Sequence, residues 1–387
     1  MASMQQDNGT PLKIDWQIIN GLRGLAALYV VFNHSRGQLF TDAMDYAEKV
    51  KPKADWSGWE KINMLLMQHT NLGAEFVILF FVLSGFSIAH SLRQNPEKKG
   101  FYLRRFIRLY PTYLVGIIWA IFIFLLVKFL APHIYYNALE TDLSMQEFFH
   151  RFIEFPSIVK NLLYCPVNNF MTIQYWSLPL EVIFYFIAPF AIRKLRWYGA
   201  ITILLYLIGW YIKGYSYHHI YHEPITFQFT FDYGIYFFVG VLFYKYKDKL
   251  LQNYKLNRLA IFASLLVIFE TLVISKSYIW QNEHNKFTGM AMILFSYIIL
   301  FGFMKYKIHI RPLEKIGVYS YTLYVTHLAS VHIVNSISAH YGYGFYTIRS
   351  VYMWYFGIAA SLLCAYLLYW VAEYPSTKYL ERLRAKR

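Results

Sequence analysis

Two ionisable residues stand in a segment that is otherwise apolar: Arg23, in Gly21–Leu22–Arg23–Gly24–Leu25–Ala26–Ala27, and His34, in Phe32–Asn33–His34. A charged side chain at the centre of a membrane helix costs about 2.5–3.5 kcal/mol on insertion scales, so each needs a partner or a purpose. Eleven residues separate them, which is about three helical turns and puts both on one face, ~16 Å apart. A guanidinium grips phosphate or carboxylate oxygens through its planar fork, and an imidazole exchanges protons near neutral pH. The pair reads as an anion contact at one depth and a proton acceptor at another, lining one cavity. The plainer alternative has Arg23 snorkelling to the inner headgroups and His34 resting at the outer interface.

Other polar groups raise the same question. Glu181 follows Gln174–Tyr175–Trp176–Ser177–Leu178–Pro179–Leu180 and precedes Val182–Ile183–Phe184–Tyr185. Tyr175 and Trp176 suit the outer interfacial belt, which sets Glu181 about a turn and a half deeper, where its charge depends on its partner. His327 ends the stretch Ser320–Tyr321–Thr322–Leu323–Tyr324–Val325–Thr326 near mid-membrane. It reads as a hydrogen-bonded structural residue or a catalyst, and Tyr321, Tyr324 and Leu328 beside it fit plain aromatic packing. Asp232, Glu270 and Glu373 lie in or beside apolar runs, Asp232 and Glu373 at membrane edges. The segment Tyr102–Pro111, taken as an inner loop, holds the densest basic cluster, with Arg104, Arg105 and Arg108. It fits phosphate recognition and equally an anchor on anionic lipid.

The elements that must position these groups follow from the composition. Of 387 residues, 57% are hydrophobic and 15% charged, against about 25% charged in a soluble domain. Apolar runs recur from end to end, several near the ~20 residues that span a bilayer. The reading is an all-α, polytopic membrane bundle of ten spans. They start near Ile18, Leu72, Tyr110, Met171, Ala200, Phe227, Leu259, Phe287, Gly317 and Val351. With the N-terminus inside, the inner segments carry 24 Lys and Arg and the outer ones 11, so both termini are expected in the cytoplasm. The division is a tail 1–17, a membrane domain 18–373 and a tail 374–387.

Two outer segments, 40–71 and 132–170, are long enough to grip a polar ligand, or to be connectors with interfacial helices. The small residues Gly24, Ala26 and Ala27 allow close helix approach, within the chain or in a homo-oligomer. The net charge of +15 sits in short loops, which is a topological pattern and excludes nucleic acid as the expected partner. Cys165 and Cys364 form no disulfide framework. No clustered ligands support a zinc site, and no basic n-region marks a cleaved signal.

Several stretches together resemble the acyltransferase-3 family of integral membrane O-acyltransferases. Arg23 and His34 match its Arg-x10-His element, and Phe80–Phe81–Val82–Leu83–Ser84–Gly85–Phe86 is similar to its second-helix signature. Arg105–Phe106–Ile107–Arg108 with Tyr110–Pro111 resembles its Arg-x-x-Arg element. Trp176–Ser177–Leu178 with Glu181 and Tyr185 matches a Trp-Ser-Leu-x-x-Glu pattern. Ser320–Tyr324 with His327, and Glu373 with Pro375, complete the set, which runs from Ile14 to Pro375.

The resemblance implies ten helices and transfer of an acyl group, commonly acetyl, from cytoplasmic acyl-CoA to a hydroxyl of a cell-envelope glycan or related glycoside. The implied location is the bacterial cytoplasmic (inner) membrane. Some members carry a fused extracytoplasmic esterase-like domain; its absence here favours direct transfer or hand-off to another protein. On this basis Arg105 and Arg108 hold CoA phosphates, Arg23 steadies the donor, His34 is the general base and Glu181 orients it. Ser84, Trp176, Tyr185, Ser320, Tyr321, Tyr324 and His327 line the pocket. Acyl-CoA is the donor substrate and no resident cofactor or metal is expected. The competing reading is a transporter or carrier of a lipid-linked glycan or small solute, with the same residues along its path; no repeated halves support it.

Overall fold

The computed structural model describes residues 14–40, 43–94, 100–137, 143–166, 169–216, 225–279, 286–342 and 350–385. The tail up to Lys13, the basic residues Lys98, Lys99, Arg349, Lys386 and Arg387, and the side chains of Lys213 and Asp232 lie outside that description. Among the described residues are ten helices of 14 residues or more: α1 (Trp16–Leu39), α2 (Gly73–Gln94), α3 (Phe101–Leu130), α4 (Leu178–Ala191), α5 (Leu195–Ser216), α6 (Ile225–Lys245), α7 (Arg258–Ile279), α8 (Lys286–Tyr306), α9 (Ser320–His340) and α10 (Met353–Tyr369). The described residues contain no β-strand.

Four of these helices, α2, α3, α7 and α8, are long and apolar enough to cross a membrane. A fifth candidate is α10 taken with the helix that follows it, Glu373–Ala385, across a 41° bend. The protein is thus an integral membrane protein by its apolar helices. Of the helices that carry the polar site, α2 and α3 pass this test, while α1, α4 and α9 do not, and for α9 the reason is physical. In α9, Thr322, Thr326, His327, Ser330, His332 and Ser336 are all fully buried, so they face protein rather than lipid and meet hydrogen-bond partners there.

α1 packs against α2, α9, α10 and the short helix Arg311–Val318. The contact with that short helix is backbone to backbone. A Cβ on Gly24 would collide with the carbonyl of Leu313, and one on Gly317 with that of Asn20. The close approach expected of Gly24 is therefore made within the chain. α2 and α6 meet in the same way, Gly85 against the Phe237 carbonyl and Gly240 against that of Val82. Only a hydrogen fits at these crossings, which fixes the register of each pair.

Three expectations are corrected. First, α3 begins at Phe101, nine residues before the expected start, and runs 30 residues through Pro111. Arg104, Arg105 and Arg108 therefore project from helix, not from a loop. Second, the segment 132–170 is not confined to the outer side. Asn161 and Leu162 accept hydrogen bonds from Tyr113 (2.6 Å) and Tyr110 (3.2 Å), residues ~26 Å and ~30 Å along α3 from its end at Leu130. Third, Tyr175 is not interfacial but buried, its hydroxyl 2.8 Å from the Val325 carbonyl of α9. The stretch expected as a fourth span from Met171 is thus not one continuous helix: the 3-10 turn Ile173–Ser177 holds the buried Tyr175, and α4 starts only at Leu178.

The other long segment folds into helices Ala43–Lys49 and Gly58–Gln68. Tyr46, Met64 and Met67 pack with Leu39, Phe40, Val331, Val351 and Trp354. A capping box between Ser57 and Glu60 starts the second helix, and Asn63 takes hydrogen bonds from Tyr355 (2.8 Å) and Trp354 (3.3 Å). Trp59, Ile62, Leu65 and Leu66 remain exposed on its other face. An interfacial helix is what that pattern describes.

Candidate functional site

The first halves of α1, α3, α4 and α9, the middle of α2 and the first residue of Glu373–Ala385 enclose a cavity. Its empty volume is about 760 Å³, open mouth included. Three arginines line it, Arg23 from α1 and Arg105 and Arg108 from α3, with two carboxylates, Glu181 from α4 and Glu373. The cations exceed the carboxylates by one, and buried charge of this kind persists only when paired or ligated.

Four of these five groups, all but Arg108, are held by a nameable contact. Arg23 donates from Nη2 to Ser87 Oγ at 3.0 Å, while the Ser87 hydroxyl donates to the Leu83 carbonyl at 2.7 Å. Arg105 lies over the rings of Phe101 (5.5 Å) and Tyr185 (5.6 Å). Its buried Nε has no hydrogen-bond partner among the described residues. A donor left over beside a cavity is ready for an anionic oxygen. Glu181 accepts from Tyr185, one turn along α4, and from Ser84 Oγ at 3.2 Å. Glu373 accepts from the amide and hydroxyl of Thr322 at 3.1 and 2.9 Å, tying the last helix to the start of α9.

Along α2 the lining runs Val77, Phe80, Phe81, Ser84, Ser87, Ile88. Ten residues from Val77 to Ser87 span ~15 Å, from an apolar inner end to the arginine-rich mouth. Tyr324 of α9 closes the apolar end. Its hydroxyl donates to the Gln174 carbonyl (2.8 Å) and contacts Ser177 Oγ at 2.7 Å. The ring of Phe80 meets that of Tyr324 edge-on, 5.8 Å between centroids.

One turn beyond Tyr324 stands a pair of histidines outside the cavity lining. Nδ1 of His34 is 2.7 Å from Nε2 of His327. Nδ1 of His327 faces the carbonyls of Tyr324 (2.9 Å) and Leu323 (3.1 Å). Carbonyls only accept, so this nitrogen carries the proton and the neutral ring offers Nε2 as acceptor. Hence His34 donates from Nδ1 and keeps its own Nε2 lone pair for a proton. Ser361 Oγ donates to the His327 carbonyl at 3.1 Å, adding α10 to the support. His327 is fully buried and His34 half-buried.

The structure thus brings Arg23, Arg105, Arg108, Ser84, Glu181, Tyr185, Ser320, Tyr321 and Tyr324 to one cavity. It does not bring Glu181 to His34. The carboxylate is engaged by Ser84 and Tyr185, and His327 holds the imidazole instead. Trp176 lies outside the lining, its ring 5.2 Å from that of Tyr233; the neighbouring Ser177 lines the cavity. Two lining residues go beyond the expected site: Ser87, absent from the motif set, and Glu373, a motif member expected at a membrane edge. Ser87 follows Ser84 at helical spacing on one face, a signal present in the sequence. Glu373 looked like a membrane-edge residue, and only the fold shows it turned inward and 4% exposed.

Fold and site define an integral membrane protein with a cationic internal cavity and a buried histidine pair. The chain belongs to the acyltransferase-3 family, whose model, described as an acyltransferase domain, matches residues 16–370. A curated relative, acyltransferase MdmB of Streptomyces mycarofaciens, is 30% identical over 181 residues, covering 46% of this chain. The match spans 39% of that relative's length. No solved structure matches the chain.

Proposed function

We propose that the protein is an acyl-CoA-dependent O-acyltransferase, using acetyl-CoA by preference and acylating a hydroxyl of a cell-envelope glycan or related glycoside. The observation that carries this reading is the convergence of Arg23, Arg105 and Arg108 on one cavity in a chain of the acyltransferase-3 family. Three fixed guanidiniums suit the phosphates of a nucleotide-derived donor. In this reading the ten long helices are ten spans of a domain over residues 18–373, with tails 1–17 and 374–387. The excess of basic residues on one side turns both tails and the cavity mouth to the cytoplasm of a bacterial inner membrane.

The thioester enters from the mouth and the acceptor hydroxyl comes from the opposite side, toward His34. Nε2 of His34 removes the hydroxyl proton as the oxygen attacks the thioester carbonyl. The carbon–sulfur bond breaks, the acyl group stays on the acceptor oxygen, and the departing CoA thiolate recovers the proton. His327 accepts the Nδ1 proton of His34 as a hydrogen bond throughout and steadies the imidazolium, the part usually played by a carboxylate. Arg23 bridges the donor and the Ser87 end of α2, and Glu181 with Glu373 balances the arginines when the cavity is empty. No resident cofactor or metal takes part in these steps.

A carrier reading draws on the broken fourth span, a feature that transporters share. Purified protein given acetyl-labelled acetyl-CoA and a glycoside separates the two. Release of CoA thiol with label on the glycoside supports the enzyme. Solute flux in proteoliposomes without thiol release establishes the carrier and rejects the enzyme. Mass spectrometry of envelope glycans, with and without the gene, then names the acceptor by a mass difference of one acyl group.

A further inference from the structure

We propose that Phe80, packed on Tyr324, sets the size of the acyl group that can pass from the arginine-lined cavity to His34. The inference rests on the donor reading above and adds the residue that determines specificity for the acyl chain.

Two compartments require a passage. Arg23, Arg105 and Arg108 line the cavity, whereas His34 and His327 do not. The separation is short: Tyr324 and His327 are three residues apart on α9, ~4.5 Å in rise, with ring centroids 6.1 Å apart. On the side of His327 the cavity is lined by Tyr324 and by Phe80, whose ring packs on it. Phe80 also packs toward Ala27, Val31 and Leu323, at the junction of α1 and α9 just below the histidine pair.

The two sides of this wall differ in freedom. Tyr324 is pinned at its hydroxyl by the Gln174 carbonyl and Ser177. Phe80 is a hydrocarbon side chain with no polar anchor, is only partly buried, and lines the cavity. The passage therefore opens where Phe80 stands, and the volume of its ring limits what goes through. A two-carbon acyl group needs little room beyond the thioester. Each added methylene must displace packed ring atoms, and a pocket discriminates one methylene by about 10–200-fold.

The test uses the full chain in detergent with acetyl-CoA, butyryl-CoA and hexanoyl-CoA, following CoA thiol release in the presence of acceptor. Phe80→Ala should raise the butyryl-to-acetyl ratio of kcat/KM at least tenfold over the wild type. Phe80→Leu, which keeps the helix packed, should raise it by a smaller factor, and Phe80→Trp should lower acetyl transfer itself. If Phe80→Ala does not fold, the Phe80→Leu ratio carries the test. An unchanged ratio in a folded variant, with an active wild type, overturns this inference and leaves the donor reading standing. A wild type that releases no thiol from any of the three thioesters overturns the donor reading, and this inference with it.

Discussion

His34 and His327 are joined ring to ring: their planes lie 8° from parallel and the nearest nitrogens are 2.7 Å apart. The backbone carbonyls behind His327 fix which nitrogen of each ring carries hydrogen. Such a pair polarises in one direction only, leaving a basic nitrogen at the far end, on His34. Replacing His34 by Ala should lower kcat by about 10²–10⁴-fold, the contribution typical of a general base, with insertion and yield unchanged. His327→Ala should cost less, about 10²-fold through misplacement of the base, and should also move the pH profile of kcat. Full activity in His34→Ala would reject the base assignment.

Arg105 is half-buried beside the cavity, and its buried Nε has no hydrogen-bond partner among the described residues. Arg105→Ala should raise the KM for acetyl-CoA about tenfold or more, the loss of one charge-assisted hydrogen bond worth about 1.5–3 kcal/mol. Arg105→Lys should recover little of it, because a single ammonium does not reproduce the planar fork. Initial rates over a range of acetyl-CoA at fixed acceptor decide it, and an unchanged KM in both variants removes Arg105 from the donor site.

Glu60 lies in the folded outer segment, outside the spanning helices. The ammonium of Lys51 at 2.9 Å, together with the Ser57 amide, pulls its carboxyl down from the ordinary 4.5 to about 2. A folded-state pKa below the unfolded one means stability that is complete above pH 4.5 and lost as the pH falls toward 2. The protection of amides in residues 43–68, taken relative to their intrinsic exchange rates at each pH, should therefore fall through that window. Glu60→Gln should exchange faster already at pH 6 and lose the acid transition.

Gly85 and Gly240 make the α2–α6 crossing. A methyl at Gly85 meets the Phe237 carbonyl, and overpacking of this kind costs about 1–3 kcal/mol. Gly85→Ala should lower the melting temperature in detergent, whereas Gly37→Ala, with no atom near the added Cβ, should leave it unchanged. Equal melting temperatures for the two variants would contradict the crossing.

Much of this arrangement is legible in the sequence, and the failures have causes. Apolar runs locate α2, α7 and α8 to within one residue of their starts, because a helix packed inside the bundle, as α2 and α8 are, or facing outward, as α7 is, must be apolar. The start of α3 escapes because Arg104, Arg105 and Arg108 read as a hydrophilic loop, although two of them turn into a cavity. The start of α4 escapes because Ile173–Ser177 is a tight 3-10 turn in chain that is buried without being helical. The cluster of arginines with Glu181 and Ser84 follows from motif positions. The partner of His34 does not, since α1 and α9 lie 293 residues apart at that contact and no spacing rule links them. By chemistry a carboxylate such as Glu181 is the expected partner of His34, whereas the bundle geometry sets His327 beside it and Glu181 beside Ser84.

The glycine crossings also bear on time. With α2 seated on α6 at Gly85 and Gly240, and α1 on Arg311–Val318 at Gly24 and Gly317, sliding these helices would force backbone into backbone. Collective helix movements run in microseconds to milliseconds, side-chain rotations far faster. A protein whose passage opens by turning one phenylalanine ring, inside a frame that does not slide, meets no slow collective step between donor entry and chemistry. Its turnover should then follow the chemistry at His34 and the arrival of acceptor, and vary little with the thickness of the bilayer around it.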